Sequence, residues 1–412
     1  MSSLHPTLNP DQDQTAAINT AEFPAEAKFV LSLLNKLQHG SLTIQFPDQQ
    51  VATFGDGNHP KIQLHMKDWQ LCRSVLKSGD IGFAESYIAG NWSTPQLPAL
   101  IEMISRNRQQ LESVIYGTWW GNLLYRVKHF LNRNSRSGSK KNIHAHYDIG
   151  NDFYRLWLDP SMTYSSALFS GDKVETLHDA QLAKYRRILQ QLEVHPQDNI
   201  LEIGCGWGGF AEVAATEAFA HVTGLTLSTE QLHFAQERLQ KAGLHEKSKL
   251  HIQDYRDAHG NYDAIASIEM FEAVGESYWP SYFECIARNL KKGGRACVQS
   301  IVIADDLFDR YRKGTDFIQQ YIFPGGMLPS IQIFKQYAQE HGLEVVDTFT
   351  FGLDYARTLQ EWRNAFMAKL TEIRAQGFDD EFFRTWEFYL AYCEAGFRAH
   401  SIDVAQFTLV KK

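Results

Sequence analysis

Leu201-Glu202-Ile203-Gly204-Cys205-Gly206-Trp207-Gly208-Gly209 closes a short apolar run, NILEIG (199–204), and opens onto FAEVAATEA (210–218), whose apolar spacing is helical. Glycines at 204, 206 and 209 fit the spacing GxGxxG. Between a strand and a helix, such glycines allow a tight turn and let the backbone approach a ligand closely. Outward from this loop the alternation continues. HVTGLTL (221–227), KLHIQ (249–253), YDAIASI (262–268) and RACVQSIVI (295–303) read as strands, with helical stretches such as STEQLHFAQERLQKAG (228–243) between them. This pattern predicts βαβ units in a doubly wound, parallel α/β sheet, with ligands beyond the carboxyl ends of its strands.

Upstream the pattern differs. Residues 1–22 have the polar composition of a flexible leader. Within 23–131, AEAKFVLSLLNKL (25–37) has helical periodicity, while SLTIQF (41–46), ATFGDG (52–57) and KIQLHM (61–66) read as strands. DWQLCRSVLKSG (68–79) reads as a helix stopping at Gly79. These elements predict a smaller N-terminal α+β domain. IYGTWWGNLLYRVKHFL (115–131) spaces its aromatics helically, and between Gly121 and Tyr147 stand Arg126, Lys128, Arg133, Arg136, Lys140 and Lys141 without one acid. The stretch reads as an arm settling on an anionic bilayer, at about 1 kcal/mol per basic residue, or as a packing helix and a solvated linker. A basic linker over 132–144 then leads into the α/β domain, predicted over 145–412.

Composition narrows the function. Among 412 residues, 40 Lys+Arg stand against 48 Asp+Glu, a net charge of −8 that argues against wrapping nucleic acid. A base-flipping [DN]PP[YF]-type motif is also missing from the sequence. Cys72, Cys205, Cys285, Cys297 and Cys393 form no CxxC pair, so neither a disulfide framework nor a metal site is expected, and a cytoplasmic setting fits. The sequence has no apolar run of 18 residues and no apolar stretch near its start, so the expectation is a soluble or surface-bound protein.

The cofactor is decided by the loop's neighbours. A nicotinamide site places an acid about 20 residues on, but there the chain reads Thr226-Leu227-Ser228, with no carboxylate before Glu230. The acid stands just before the glycines instead, as Glu202. This E-x-G-x-G arrangement resembles motif I of S-adenosylmethionine-dependent methyltransferases. Their sulfonium donor has no pyrophosphate to bind, and a carboxylate suits its cationic amino-acid end. Asp254-Tyr255, after the third strand, offers polar and flat contacts for adenosine.

Longer stretches resemble the cyclopropane fatty acid synthase family, which includes the mycolic acid methyltransferases. HYDIGNDFYRLWLDPSMTYSSALF (146–169), GLTLSTEQ (224–231), QDYRD (253–257), MFEAVG (270–275), YIFPGGMLPS (321–330), LDYARTLQEW (353–362) and YCEAGFRAH (392–400) follow that family's order. GFAESYIAGNW (82–92) extends the likeness more loosely into the N-terminal part. The resemblance implies a Rossmann-like fold, with donor contacts from Tyr164, Ser165, Glu202, Gly204, Gly206, Thr226, Gln231, Asp254 and Tyr255. It also implies methyl transfer to a cis double bond of a membrane-phospholipid acyl chain, closing a cyclopropane by loss of a proton. A homodimer working peripherally on the cytoplasmic face of the membrane is implied too. In the family a bicarbonate is the base, held by a glutamate, a tyrosine, a histidine and a backbone amide beside a cysteine. The matching positions here are Glu272, Tyr355, Gln299 and Ser166, so two of the four side chains depart. Gln299 donates hydrogen bonds but carries no proton.

Two alternatives stay open: a C-methyltransferase leaving a methyl or methylene branch, and a lipid-binding homologue without catalysis. Glu269 and Glu272 stand three apart after a strand; only Glu272 matches the family's acid, and whether Glu269 is a helix-start residue stays open. Trp279, Tyr282 and Phe283, like Tyr321, Phe323 and Pro324, read either as an acyl-chain cover in a helical lid or as plain core. Cys205 and Cys393 read as packing residues, and His144 and His146 as a polar entry loop, since no further ligands accompany them.

Overall fold

The computed structural model describes residues 18–112, 149–171 and 175–412. The basic arm, the linker and both histidines of the entry loop lie outside the described residues. The chain divides into two compact units. Of the described residues, the first unit holds 18–112 together with Gly314–Tyr321 and Gly377–Ser401, and the second holds the remainder. The α/β domain read as continuous over 145–412 therefore gives two of its segments to the N-terminal unit.

In the first unit four strands, β1 (Ser41–Gln45), β2 (Val51–Gly55), β3 (Lys61–Met66) and β4 (Trp92–Ser93), form a sheet of order β2-β1-β3-β4. Leu42, Ile44, Ile62, Leu64 and Met66 are buried at alternate positions, as the period-two pattern requires. The helix expected to stop at Gly79 runs over Gln70–Ile88, broken at Gly79 by φ 61° and ψ −132°, a backbone conformation that glycine adopts without a Cβ penalty. The helix Asp380–Arg398 belongs here because its inward polar groups find partners here. Tyr87 donates to Glu387 Oε2 at 2.7 Å, and Tyr392 donates to Asp80 Oδ2 at 2.8 Å.

The second unit is built on seven strands, β5 (Asn199–Ile203), β6 (His221–Thr226), β7 (Ser248–Ile252), β8 (Tyr262–Ile268), β9 (Leu290–Ile303), β10 (Leu343–Thr350) and β11 (Ile402–Lys411). Their order is β10-β11-β9-β8-β5-β6-β7. The five strands from β9 to the edge strand β7 are parallel, as expected, but β11 runs antiparallel to both β9 and β10, so the sheet is mixed. The chain winds outward from β5 through β6 to β7, then returns to β8 on β5's other side. That reversal opens a crevice at the carboxyl ends of β5 and β8.

Apolar packing on one face centres on the helix Trp279–Asn289. Trp279, Tyr282 and Phe283 are fully buried in a cluster with Phe271, Phe334 and Phe407, so these three are core and not an acyl-chain cover. Phe283 lies 5.1 Å from Phe334 and 5.5 Å from Phe271, ring centre to ring centre. Phe283→Ala is expected to cost roughly 3–5 kcal/mol, read as a lowered midpoint in thermal or urea unfolding.

Candidate active site

The glycine loop turns where β5 ends. Gly204 N–H and Cys205 N–H both donate to Leu225 O on β6, at 3.0 and 2.8 Å, which ties the loop to the neighbouring strand. Gly204 has φ 86°, and a Cβ there would stand 2.9 Å from Met270 Cγ, so both conformation and space call for glycine. A pocket opens over the loop. Tyr164, Ser165, Glu202, Gly204, Gly206, Thr226, Gln231 and Tyr255 all line it, eight of the nine donor contacts the resemblance implied. Asp254 does not line it. Its carboxylate accepts from Arg256 Nε at 2.8 Å, Nη2 at 2.6 Å and the Arg256 amide at 3.0 Å, and Gln253 lines the pocket in its place.

Glu202 gives the pocket its chemistry. The residue is buried, and its Oε2 has no hydrogen-bond partner among the described residues. Burial pushes its carboxyl well above the usual range, with Lys184 pulling the other way. A buried acid without a partner for one oxygen fits a cationic ligand group. Lys184 is itself fully buried, donates to Ser165 Oγ, and has its pKa lowered to about 7 by burial, against the pull of Glu269, Asp159 and Glu202.

Glu269 is the residue that sequence reasoning left undecided. It follows β8 with φ 50°, a strained conformation for a residue with a Cβ, and its side chain lines the pocket. The short helix that follows, Phe271–Ala273, has Met270 as its N-cap, so Glu269 does not start it. Its Oε1 accepts from the Ser166 amide at 2.8 Å and from Gln299 Nε2 at 2.7 Å, and its Oε2 accepts from the Tyr355 hydroxyl at 2.5 Å. Three of the four groups implied as an anion cradle thus hold this carboxylate. They come from separate places: the segment before the helix Leu177–Leu192, strand β9, and the helix Gly352–Ala368.

Glu272, the fourth member of the implied cradle, points elsewhere and accepts from the Ile301 amide on β9. Its pKa is raised to about 8, by burial first and then by the charge of Glu269. Burial raises Glu269 as well, but Lys184, Tyr355, the Ser166 amide and Gln299 all oppose the rise. Of the two, Glu269 has the cation and the side-chain donors that favour a carboxylate, so the ionised form is better supported there than at Glu272. A bicarbonate does not fit, because the chain's own carboxyl group occupies the donors that would hold it. The only advance sign of this in the sequence was two acids three residues apart, SIEMFE, directly after a strand.

A mixed seven-stranded sheet, a glycine loop at its switch point and a buried acid over that loop define an S-adenosylmethionine-dependent methyltransferase. The family model described as mycolic acid cyclopropane synthetase matches residues 134–407, and the chain belongs to that family. It is 34% identical to the tuberculostearic acid methyltransferase of Mycobacterium tuberculosis, over 98% of this chain and 99% of that protein. To the cyclopropane-fatty-acyl-phospholipid synthase of Escherichia coli it is 33% identical, over 83% of this chain and 86% of that one. The mycolic acid cyclopropane synthase CmaA1, crystallised with SAH and CTAB, superposes with a TM-score of 0.62 at 32% identity, over 66% of this chain and 98% of that one. These relatives place the chain among methyltransferases that act on lipid double bonds.

Proposed function

We propose that the protein transfers a methyl group from S-adenosylmethionine to the cis double bond of a phospholipid acyl chain, and that Glu269 takes the proton whose loss closes a cyclopropane. The observation that carries this reading is the Glu269 carboxyl group, which lines the pocket and is held by three donors behind it. When bound, S-adenosylmethionine supplies an electrophilic methyl group. Glu202 would hold its cationic end, and Tyr164, Ser165, Thr226, Gln231 and Tyr255, which line the same pocket, would surround it. An alkene is a poor nucleophile, so the pocket's work is to hold the chain in line and exclude water. Attack by the alkene on that methyl would break its bond to sulfur, release S-adenosylhomocysteine and leave a carbocation on the acyl chain. Removal of one proton from the new methyl group to a Glu269 oxygen lets the freed electron pair close the ring, for a net gain of CH₂. A carboxylate beside the cation stabilises it by charge and is placed to act as base.

A second reading, a methylene or methyl branch, is favoured by the likeness to the tuberculostearic acid methyltransferase across almost the whole chain. In it Glu269 takes a proton that leaves a double bond in place of a ring. The protein is further proposed to work as a homodimer, peripherally on the cytoplasmic face of a membrane, with the basic arm meeting anionic lipid. Among the described residues no helix is long and apolar enough to cross a membrane.

Expression in a bacterium lacking its own cyclopropane synthase, followed by gas chromatography and mass spectrometry of fatty acid methyl esters, tests the proposal. The expected product is one CH₂ heavier, survives mild hydrogenation as a ring and shows upfield ring protons. Loss of the extra unsaturation on hydrogenation assigns the branch. No added carbon in any lipid overturns the enzyme reading for monounsaturated chains and favours the lipid-binding alternative.

A further inference from the structure

Behind Glu269 a row of hydrogen bonds leads away from the pocket, through residues that the donor site and the carboxylate pair do not use. Gln299, which donates to Glu269, accepts at its own Oε1 from Gln406 Nε2 at 3.0 Å. Gln406 accepts in turn from Arg187 Nη1, and Arg187 Nη2 meets Asp347 Oδ2 at 2.9 Å. The sheet register builds the row, since Gln299 on β9 pairs with Gln406 on β11, which pairs with Phe349 on β10. The Arg187 guanidinium lies 4.0 Å over the Phe349 ring. Both glutamines are fully buried, so no water competes for their amides.

A glutamine amide is reversible by rotation, and its direction is fixed only by its partners. Arginine has five N–H donors and no acceptor. Gln406 must therefore turn its oxygen to Arg187 and its nitrogen to Gln299. Gln299 must then turn its oxygen to Gln406 and its nitrogen to Glu269. We propose that Arg187 and Gln406 are positioning residues that lock the Gln299 amide, so that Glu269 always meets a donor there and never an acceptor. The inference rests on Glu269 being the base.

The consequence is chemical. A protonated Glu269 would gain from an acceptor opposite it, and the lock denies it one. The ionised form accepts from Gln299 with no rearrangement, so the lock favours the base over its conjugate acid despite burial. The other titratable or charged groups facing Glu269 are Lys184 from the helix Leu177–Leu192, Tyr355 from the helix Gly352–Ala368, and Glu272 beyond the end of β8. None of these changes when Gln406 is replaced.

The test is an infrared pH titration of the protonated-carboxyl carbonyl band of the Glu269–Glu272 pair, assigned with Glu269→Gln, in the full-length protein. In Gln406→Met, a neutral change, Gln299 is free to turn when Glu269 takes a proton. The first proton release is expected to move up by about one pH unit, a tenfold rise in proton affinity. Gln406→Glu, nearly isosteric should the Met variant fold poorly, is expected to move it further, because the new carboxylate both reverses the Gln299 amide and adds a negative charge. Arg187→Lys keeps a donor-only partner and is expected to leave the titration in place. Transfer of labelled methyl to vesicles of dioleoylphosphatidylglycerol is followed alongside, its acid limb moving with the titration. An unmoved titration in Gln406→Met overturns the lock, whatever the variant's stability or rate, and so does an unmoved titration in Gln406→Glu. A moved titration with no methyl transfer to any lipid overturns the proposed function and leaves the lock standing.

Discussion

Glu269→Gln is expected to lower methyl transfer by roughly 10²–10⁴-fold, the usual contribution of a positioned general base. The amide keeps the size of the side chain, with its one oxygen placed to accept from the Ser166 amide and Gln299 Nε2 and its nitrogen to donate to the Tyr355 oxygen, but it has no basicity with which to take a proton. S-adenosylmethionine binding should stay within a few-fold of the wild type, because Glu202 and the glycine loop are untouched, and isothermal titration calorimetry separates the two effects. Glu269→Gly carries the argument further. Glycine is at ease at the φ of 50° found here, and the change leaves the Ser166 amide, Gln299 Nε2 and the Tyr355 hydroxyl facing vacated space. Added bicarbonate or formate is expected to restore part of the turnover in the glycine variant and none in the glutamine variant. Wild-type turnover in Glu269→Gln would sink the assignment of the base.

Much of this architecture could be read in advance, and what could not has definable physical causes. The glycine loop and the parallel strands announce themselves through short apolar runs bounded by turns, most plainly β5 and β8, which are buried along most of their length. β10 is different. LEVVDTFT alternates only loosely and lies half-buried at the sheet edge, so its hydrophobic signal is weak. The helix Asp380–Arg398 has an apolar face that matches no single neighbour, and its place in the first unit depends on partners such as Tyr87 and Asp80, about 300 positions earlier. Glu269 was illegible for a related reason. Its meaning comes from a left-handed backbone at a strand end and from donors at positions 166, 299 and 355, none of them near it in sequence. The family pattern pointed to Glu272, three residues on, which turns to Ile301 instead. The departures at Ser166 and Gln299 were visible from the start. Their sense appears only when the carboxylate that fills the cradle is seen to belong to the chain.

Glu202→Gln is expected to weaken S-adenosylmethionine binding by about 10²-fold or more, since removing one partner of a buried charge pair costs roughly 2–5 kcal/mol. The pH dependence should be as informative as the magnitude. In the unliganded protein, burial holds the Glu202 pKa well above its value of 4.5 in the unfolded chain. A carboxyl raised in this way penalises the folded state increasingly as pH rises above 4.5, because the native form binds more protons than the unfolded one. A bound cation reverses the preference and favours the ionised carboxylate. Donor binding below the raised pKa must then release a proton, and affinity must increase with pH until that pKa is passed. For the same reason, a fixed concentration of donor should raise the unfolding midpoint more at pH 8 than at pH 6. Calorimetric titrations in two buffers of different ionisation enthalpy count the released proton directly. In Glu202→Gln the proton release and the pH dependence should both disappear together with the affinity. A variant that binds as tightly as the wild type, with the same proton release, would place the cationic end of the donor against some other group and remove Glu202 from the site.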